Sequence, residues 1–166
     1  MSDDATSAGP KVRIFLVDYC AIVRRGLRLL LSLEPDMEVC GEAESVGGAA
    51  PGIAEARPEV AILGVSSGQG SGLELIRQLR DCRPRLKILV FSMRPESLYG
   101  QQARLAGADR YLEREDGPQE LVGAIRLILR GESLGTPTRG CQKGGRHPRR
   151  VIQRPPEIID SKTHHR

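Results

Sequence analysis

The residues of this chain with functional groups suited to chemistry stand where apolar runs stop. Asp18 and Tyr19 follow VRIFLV, Gly64 and the serines Ser66 and Ser67 follow VAIL, Ser92 closes KILVFS, and Tyr111 and Arg114 lie in the short run RYLER. Together they offer a carboxylate, hydroxyls and a guanidinium, which means charge and hydrogen bonds. No nucleophile is paired with a base, and no glycine-rich phosphate loop follows the first run. An enzyme is therefore not expected. Cys20, Cys40, Cys82 and Cys141 are widely spaced and form no C-x-x-C pair, and His147, His164 and His165 lack metal-ligand spacing with any of them. The cysteines read as reduced thiols, the first three as small core or half-buried residues, and the histidines as tail residues.

The elements that must position these groups alternate between short apolar runs and amphipathic segments of helical period, the pattern of a parallel sheet with crossover helices. Strands are predicted over 12–17, 38–43, 60–63, 87–92 and 110–112. Helices are predicted over 21–33, 72–83 and 118–130. In the first, Ile22, Val23, Leu27, Leu30 and Leu31 share a face, and Arg24, Arg25 and Arg28 point away. Pro118 suits a first helical turn, and Gly131 lies just past the last. A fourth helix is expected over 95–106. Between 45 and 57, Gly47, Gly48, Pro51 and Gly52 weaken the pattern, and an interior proline costs about 3 kcal/mol, so only a short helix beginning near Pro51 is expected there.

Composition agrees with one α/β domain. The chain has 166 residues, no tryptophan and only two phenylalanines, so its core must be aliphatic. No apolar run is long enough to span a membrane and the N-terminus carries no export signal, which points to a cytoplasmic protein. Up to Glu132 there are 17 basic and 19 acidic residues; from Ser133 on there are 8 basic and 2 acidic. Residues 133–166 are rich in Gly, Pro and Arg and offer few apolar residues, so they read as a disordered basic tail after a domain over 11–132, with residues 1–10 a disordered N-terminus.

Four blocks, KVRIFLVDYCAIVRRGLRLLLSLEPDMEVCGEAES, RPEVAILGVSSGQGSGLELIRQLR, LKILVFSM and AGADRYLEREDGPQELVGAIRLILRGE, occur in order from residue 11 to 132. In sequence and spacing they resemble response-regulator receiver domains of the NarL/FixJ type. The resemblance implies a flavodoxin-like fold, a doubly wound five-stranded parallel sheet of order 2-1-3-4-5, with its site at the carboxyl ends of the strands. In that family an aspartate at the position of Gly64 accepts a phosphoryl group. Mg²⁺, held chiefly by that aspartate and by the second acid of an Asp-Asp pair, offsets the charge.

Here the pair reads Asp18-Tyr19 and the acceptor position reads Gly64, so both direct side-chain ligands are missing. No cofactor is expected, and Mg²⁺ binding should be lost or weak. The resemblance makes Arg114 the counterpart of the family's lysine, Ser92 its switch hydroxyl and Tyr111 its switch aromatic. Ser66 belongs to the loop after the acceptor, where glycines stand instead of the usual proline. Within the resemblance, unpaired Asp18 would attract Arg114 to the site; read without the family, Asp18 is an exposed strand-end acid, Arg114 a solvated charge, and Ser92 and Tyr111 are ordinary strand residues.

The leading expectation is an atypical receiver of a two-component phosphorelay, not phosphorylated on the usual aspartate and acting through protein partners such as a sensor kinase or another response regulator. Homodimers would use the face between Arg104 and Arg126. The alternatives are a DNA-associated transcriptional regulator working through residues 133–166, and a truncated or decayed copy, since those residues stand where relatives usually continue into a helix-turn-helix. The tail lacks interleaved aromatics and helical period, which favours a solvated extension over a nucleic-acid site.

Overall fold

The computed structural model describes residues 9–64 and 71–132. Strands β1 (Val12–Val17), β2 (Met37–Ala43), β3 (Val60–Leu63), β4 (Lys87–Ser92) and β5 (Arg110–Glu113) alternate with helices α1 (Ala21–Ser32), α2 (Val46–Ala56), α3 (Ser71–Cys82), α4 (Glu96–Ala106) and α5 (Pro118–Leu129). A single 3₁₀ turn, Arg114–Asp116, links β5 to α5. The strands form one parallel sheet of order β2-β1-β3-β4-β5. Every predicted strand and helix is present, with ends within a residue or two except at α2.

Alternation along the strands supplies two cores. Phe15 and Val17 point to the side covered by α2, α3 and α4, where they meet Ile53, Ile76 and Ala103. Ile14 and Leu16 point to the other side, against Leu27 and Leu31 of α1 and Leu121 and Ile125 of α5. The central strand β3 is apolar on both faces and wholly buried, as a parallel strand between two helical layers must be.

Helix α2 departs from the expected short helix. It starts five residues earlier, with Ser45 capping the Gly48 amide, and carries Pro51 inside it. Packing overrides propensity: Ala49 and Ile53 are completely buried, and Gly52 lets the helix lie against the Phe15 ring, whose Cζ would be 2.7 Å from any added Cβ. Gly41 also abuts the ring, whose Cε2 would be 2.5 Å from an added Cβ, beside a bulge where the β1–β2 register skips Cys40. Phe15 is thus packed against two glycines, and a larger residue at either would clash with its ring.

Two further expectations need correction. Arg24 does not point away from the fold; its guanidinium turns back to donate to the Asp18 carbonyl at 2.5 Å and leaves the side chain 13% exposed. It lies one turn into α1, within reach of the strand end that the helix follows. Cys82 is exposed on the last turn of α3, whereas Cys20 and Cys40 are half-buried. Among the described residues no helix is long and apolar enough to cross a membrane.

Candidate functional site at the strand ends

The carboxyl ends of β1 and β3 are neighbours, since Val17 is in register with Leu63. The next residue of each strand, Asp18 and Gly64, is therefore brought to one place. The Gly64 amide extends the ladder by donating to the Val17 carbonyl at 2.7 Å, and the Asp18 amide donates to the Ala43 carbonyl at 3.1 Å on the other flank. From the far side, β5 delivers Arg114 on the first residue of the 3₁₀ turn. That turn is fixed by reciprocal capping between Glu113 and Asp116.

These three positions form one contact set. The Asp18 side chain is 2% exposed and forms a close ion pair with Arg114, its Oδ2 accepting from Nη2. Its Oδ1 accepts from the Cys20 amide at 2.7 Å, so both carboxylate oxygens are engaged. Arg114 also lies over the Phe91 ring, 5.7 Å from its centroid. A Cβ added at Gly64 would overlap the Asp18 carboxylate, standing 2.7 Å from its Cγ and 3.0 Å from Arg114 Nη2. The space a side chain at position 64 would enter is filled by the ion pair.

Tyr19, by contrast, is 62% exposed and stands largely in solvent. Ser66 and Ser67 lie outside the described residues. Among the described residues no three His, Cys, Asp or Glu side chains converge as metal ligands.

Ser92 and Tyr111 form a second cluster beside the first. Both are buried, and both act on Arg94: its amide donates to Ser92 Oγ at 3.0 Å, and the Tyr111 hydroxyl donates to its carbonyl at 2.9 Å. Burial pushes the Tyr111 hydroxyl above its ordinary range, which keeps it protonated and a donor. The Arg94 guanidinium in turn stacks on the Tyr99 ring at 4.0 Å, and Glu113 accepts from the Glu96 amide at 2.8 Å at the start of α4. The β4–α4 connection is thus tied at both ends to β5. Sequence reasoning missed Arg94, because its backbone rather than its side chain makes the decisive contacts.

Residues 14–126 match the model of the response regulator receiver domain. The chain belongs to that family. It is 39% identical over 123 residues to the DNA-binding transcriptional activator DevR/DosR of Mycobacterium tuberculosis, covering 74% of this chain and 57% of that protein. It is 34% identical to the transcriptional regulatory protein UhpA of Salmonella typhimurium, covering 76% and 63%. This receiver therefore spans a little over half the length of the curated relatives it matches. Among solved structures, a LuxR-family two-component response regulator from Aurantimonas sp. SI85-9A1 superposes with a TM-score of 0.71 at 34% identity, over 76% of this chain and 91% of that one. The signal receiver domain of the NarL response regulator of Mycobacterium tuberculosis gives 0.69 at 27%, over 74% and 99%. This is a receiver domain of two-component signalling whose relatives are transcriptional regulators.

Proposed function

We propose that this receiver transmits through protein–protein contacts without being phosphorylated on an aspartate, and that its strand-end site is closed rather than merely altered. The observation that carries this reading is the Asp18–Arg114 pair lying in the volume that a side chain at Gly64 would use. Glycine supplies no nucleophile. Asp18 is a poor ligand for Mg²⁺, because its carboxylate is paired with Arg114 and the Cys20 amide and no group of three or more His, Cys, Asp or Glu side chains converges there among the described residues. Arg114 supplies the positive charge that the metal would otherwise bring, and its fixed guanidinium holds the carboxylate.

The arrangement of Ser92 and Tyr111 supports the same reading. Their hydroxyls both engage the backbone of Arg94. The surface that they shape, the β4–α4 connection and the start of α4, is then presented in one form to a sensor kinase or another response regulator. Incubating the full chain with acetyl phosphate and Mg²⁺ and measuring its intact mass tests this. An unchanged mass is expected; a phosphoryl adduct released by hydroxylamine, as an acyl phosphate is, would overturn the proposal.

A further inference from the structure

The end of the sheet opposite Asp18, where β3 and β4 begin, carries a cavity of about 450 Å³, within the range that small-ligand sites occupy. Pro58 and Leu86, both buried, and Leu129, half-buried on the last turn of α5, supply its apolar lining. Its walls are held by hydrogen bonds within the fold. The Lys87 amide donates to the Glu59 carbonyl at 2.9 Å, and the Leu86 amide closes a turn on the Arg83 carbonyl at 3.0 Å. Arg80 Nη1 donates to the carbonyls of Pro84 and Leu86 at 2.8 and 3.0 Å. The cavity is therefore shaped before anything enters it.

Its charge is unbalanced. Arg83, Arg85 and Lys87 line it against a single acid, Glu59, whose Oε2 accepts from the Arg13 amide at 3.1 Å. Arg83 donates to the Ala54 carbonyl at 3.0 Å, which brings no charge to meet its own. Arg85 is exposed and has no hydrogen-bond or ionic partner among the described residues. Lys87 stands 3.9 Å from Asp109, which already accepts from Arg80 at 2.8 Å and from the Ile88 amide at 2.7 Å. Three cations thus crowd into the five residues RPRLK beside an apolar lining, where their repulsion is stronger than in water.

An anion would offset that repulsion, and the guanidinium forks match a planar carboxylate. Both helices that reach the cavity, α3 just before Arg83 and α5 at Leu129, end there. Their partial negative charge disfavours a doubly charged phosphate more than a singly charged acid. The apolar lining calls for more than a bare ion: Pro58, Leu86 and Leu129 gain only from covering an apolar body.

We propose that this cavity binds a small organic carboxylate with an apolar body, its acid group on Arg83, Arg85 and Lys87 and its body against Pro58, Leu86 and Leu129. The site is separate from the strand ends and does not depend on whether Asp18 and Arg114 close them. Amide NMR spectra of the full chain titrated with 2-naphthoate test it. Saturable shifts are expected at Glu59, Leu86, Lys87 and Leu129, with a dissociation constant of roughly 0.1–1 mM, as the ligand efficiency of so small a molecule allows. Inorganic phosphate, which lacks the body, and 2-naphthol, which is uncharged at neutral pH, should bind at least tenfold more weakly. Arg85→Glu, at an exposed position, should weaken 2-naphthoate at least tenfold without lowering the thermal midpoint, while Arg25→Glu on α1 should leave it unchanged. Shifts that do not saturate, or that centre elsewhere, overturn the proposal. So does equal binding of inorganic phosphate or 2-naphthol, or binding of 2-naphthoate that survives Arg85→Glu.

Discussion

A buried carboxylate is tolerated only where something offsets its loss of hydration, and for Asp18 that is Arg114 together with the Cys20 amide. Removing one partner should cost more than removing both. Arg114→Met leaves the Asp18 charge uncompensated and is expected to lower the free energy of unfolding in urea by about 3 kcal/mol. Asp18→Asn combined with Arg114→Met should recover much of that loss. Gly64→Ala tests the same contact from the other side: even a methyl group overlaps the carboxylate, so a loss of about 1–3 kcal/mol is expected, as for other overpacked sites. A neutral or stabilising Gly64→Ala would show that the space at position 64 is open. Asp18 and Arg114 were legible as a pair in the sequence because the resemblance brings the ends of β1 and β5 to one rim, where opposite charges attract, although β3 and β4 lie between those strands. Their occupation of the position-64 volume was not, because it depends on side-chain direction.

At the scale of elements, two loops at the opposite end of the sheet are held by an arginine in addition to the apolar packing of Leu86 and Ala108. Arg80 of α3 donates to the carbonyls of Pro84, Leu86 and Gly107 and pairs with Asp109 at 2.8 Å, tying the α3–β4 connection to the α4–β5 connection. Arg80→Ala should lower stability by about 2–3 kcal/mol, since it leaves Asp109 half-paired and several carbonyls without their donor.

Arg126 of α5 similarly grips Asp36 and Glu34 ahead of β2, at 2.9 and 2.6 Å. Its hydrogen bond holds the Asp36 carboxyl below the usual range. With the folded pKa below the unfolded one, the pair stabilises the fold above about pH 4 and the contribution is lost as pH falls through the folded value. Thermal melts should show a steeper acid-side decline for the native chain than for Arg126→Met. Equal slopes would mean that this surface pair does not contribute.

The α/β alternation, the strand limits and the start of α5 at Pro118 were readable because hydrophobic period and turn residues act locally. Helix α2 was misread at Pro51 because the burial of Ala49 and Ile53 against Phe15 is a tertiary effect. Arg24 was misread because helical period says where a residue starts, not where a long side chain folds back.

For the whole molecule, charge divides the chain between a nearly balanced receiver and a basic segment over residues 133–166, which lie outside the described residues. If function resides in the receiver surface, duplex DNA at physiological salt should give no saturable anisotropy change with the full chain at micromolar concentration. Binding that weakens steeply with salt and vanishes when residues 133–166 are removed would move the function to that segment.

The central claim, that a closed ion pair replaces the phosphoryl and metal site, is tested most directly by amide NMR spectra of the full chain with and without Mg²⁺ and acetyl phosphate. The account predicts unshifted amides for Asp18, Gly64, Ser92, Arg94 and Tyr111 under both conditions. Shifts that begin at the strand ends and spread through Arg94 into α4 would contradict it.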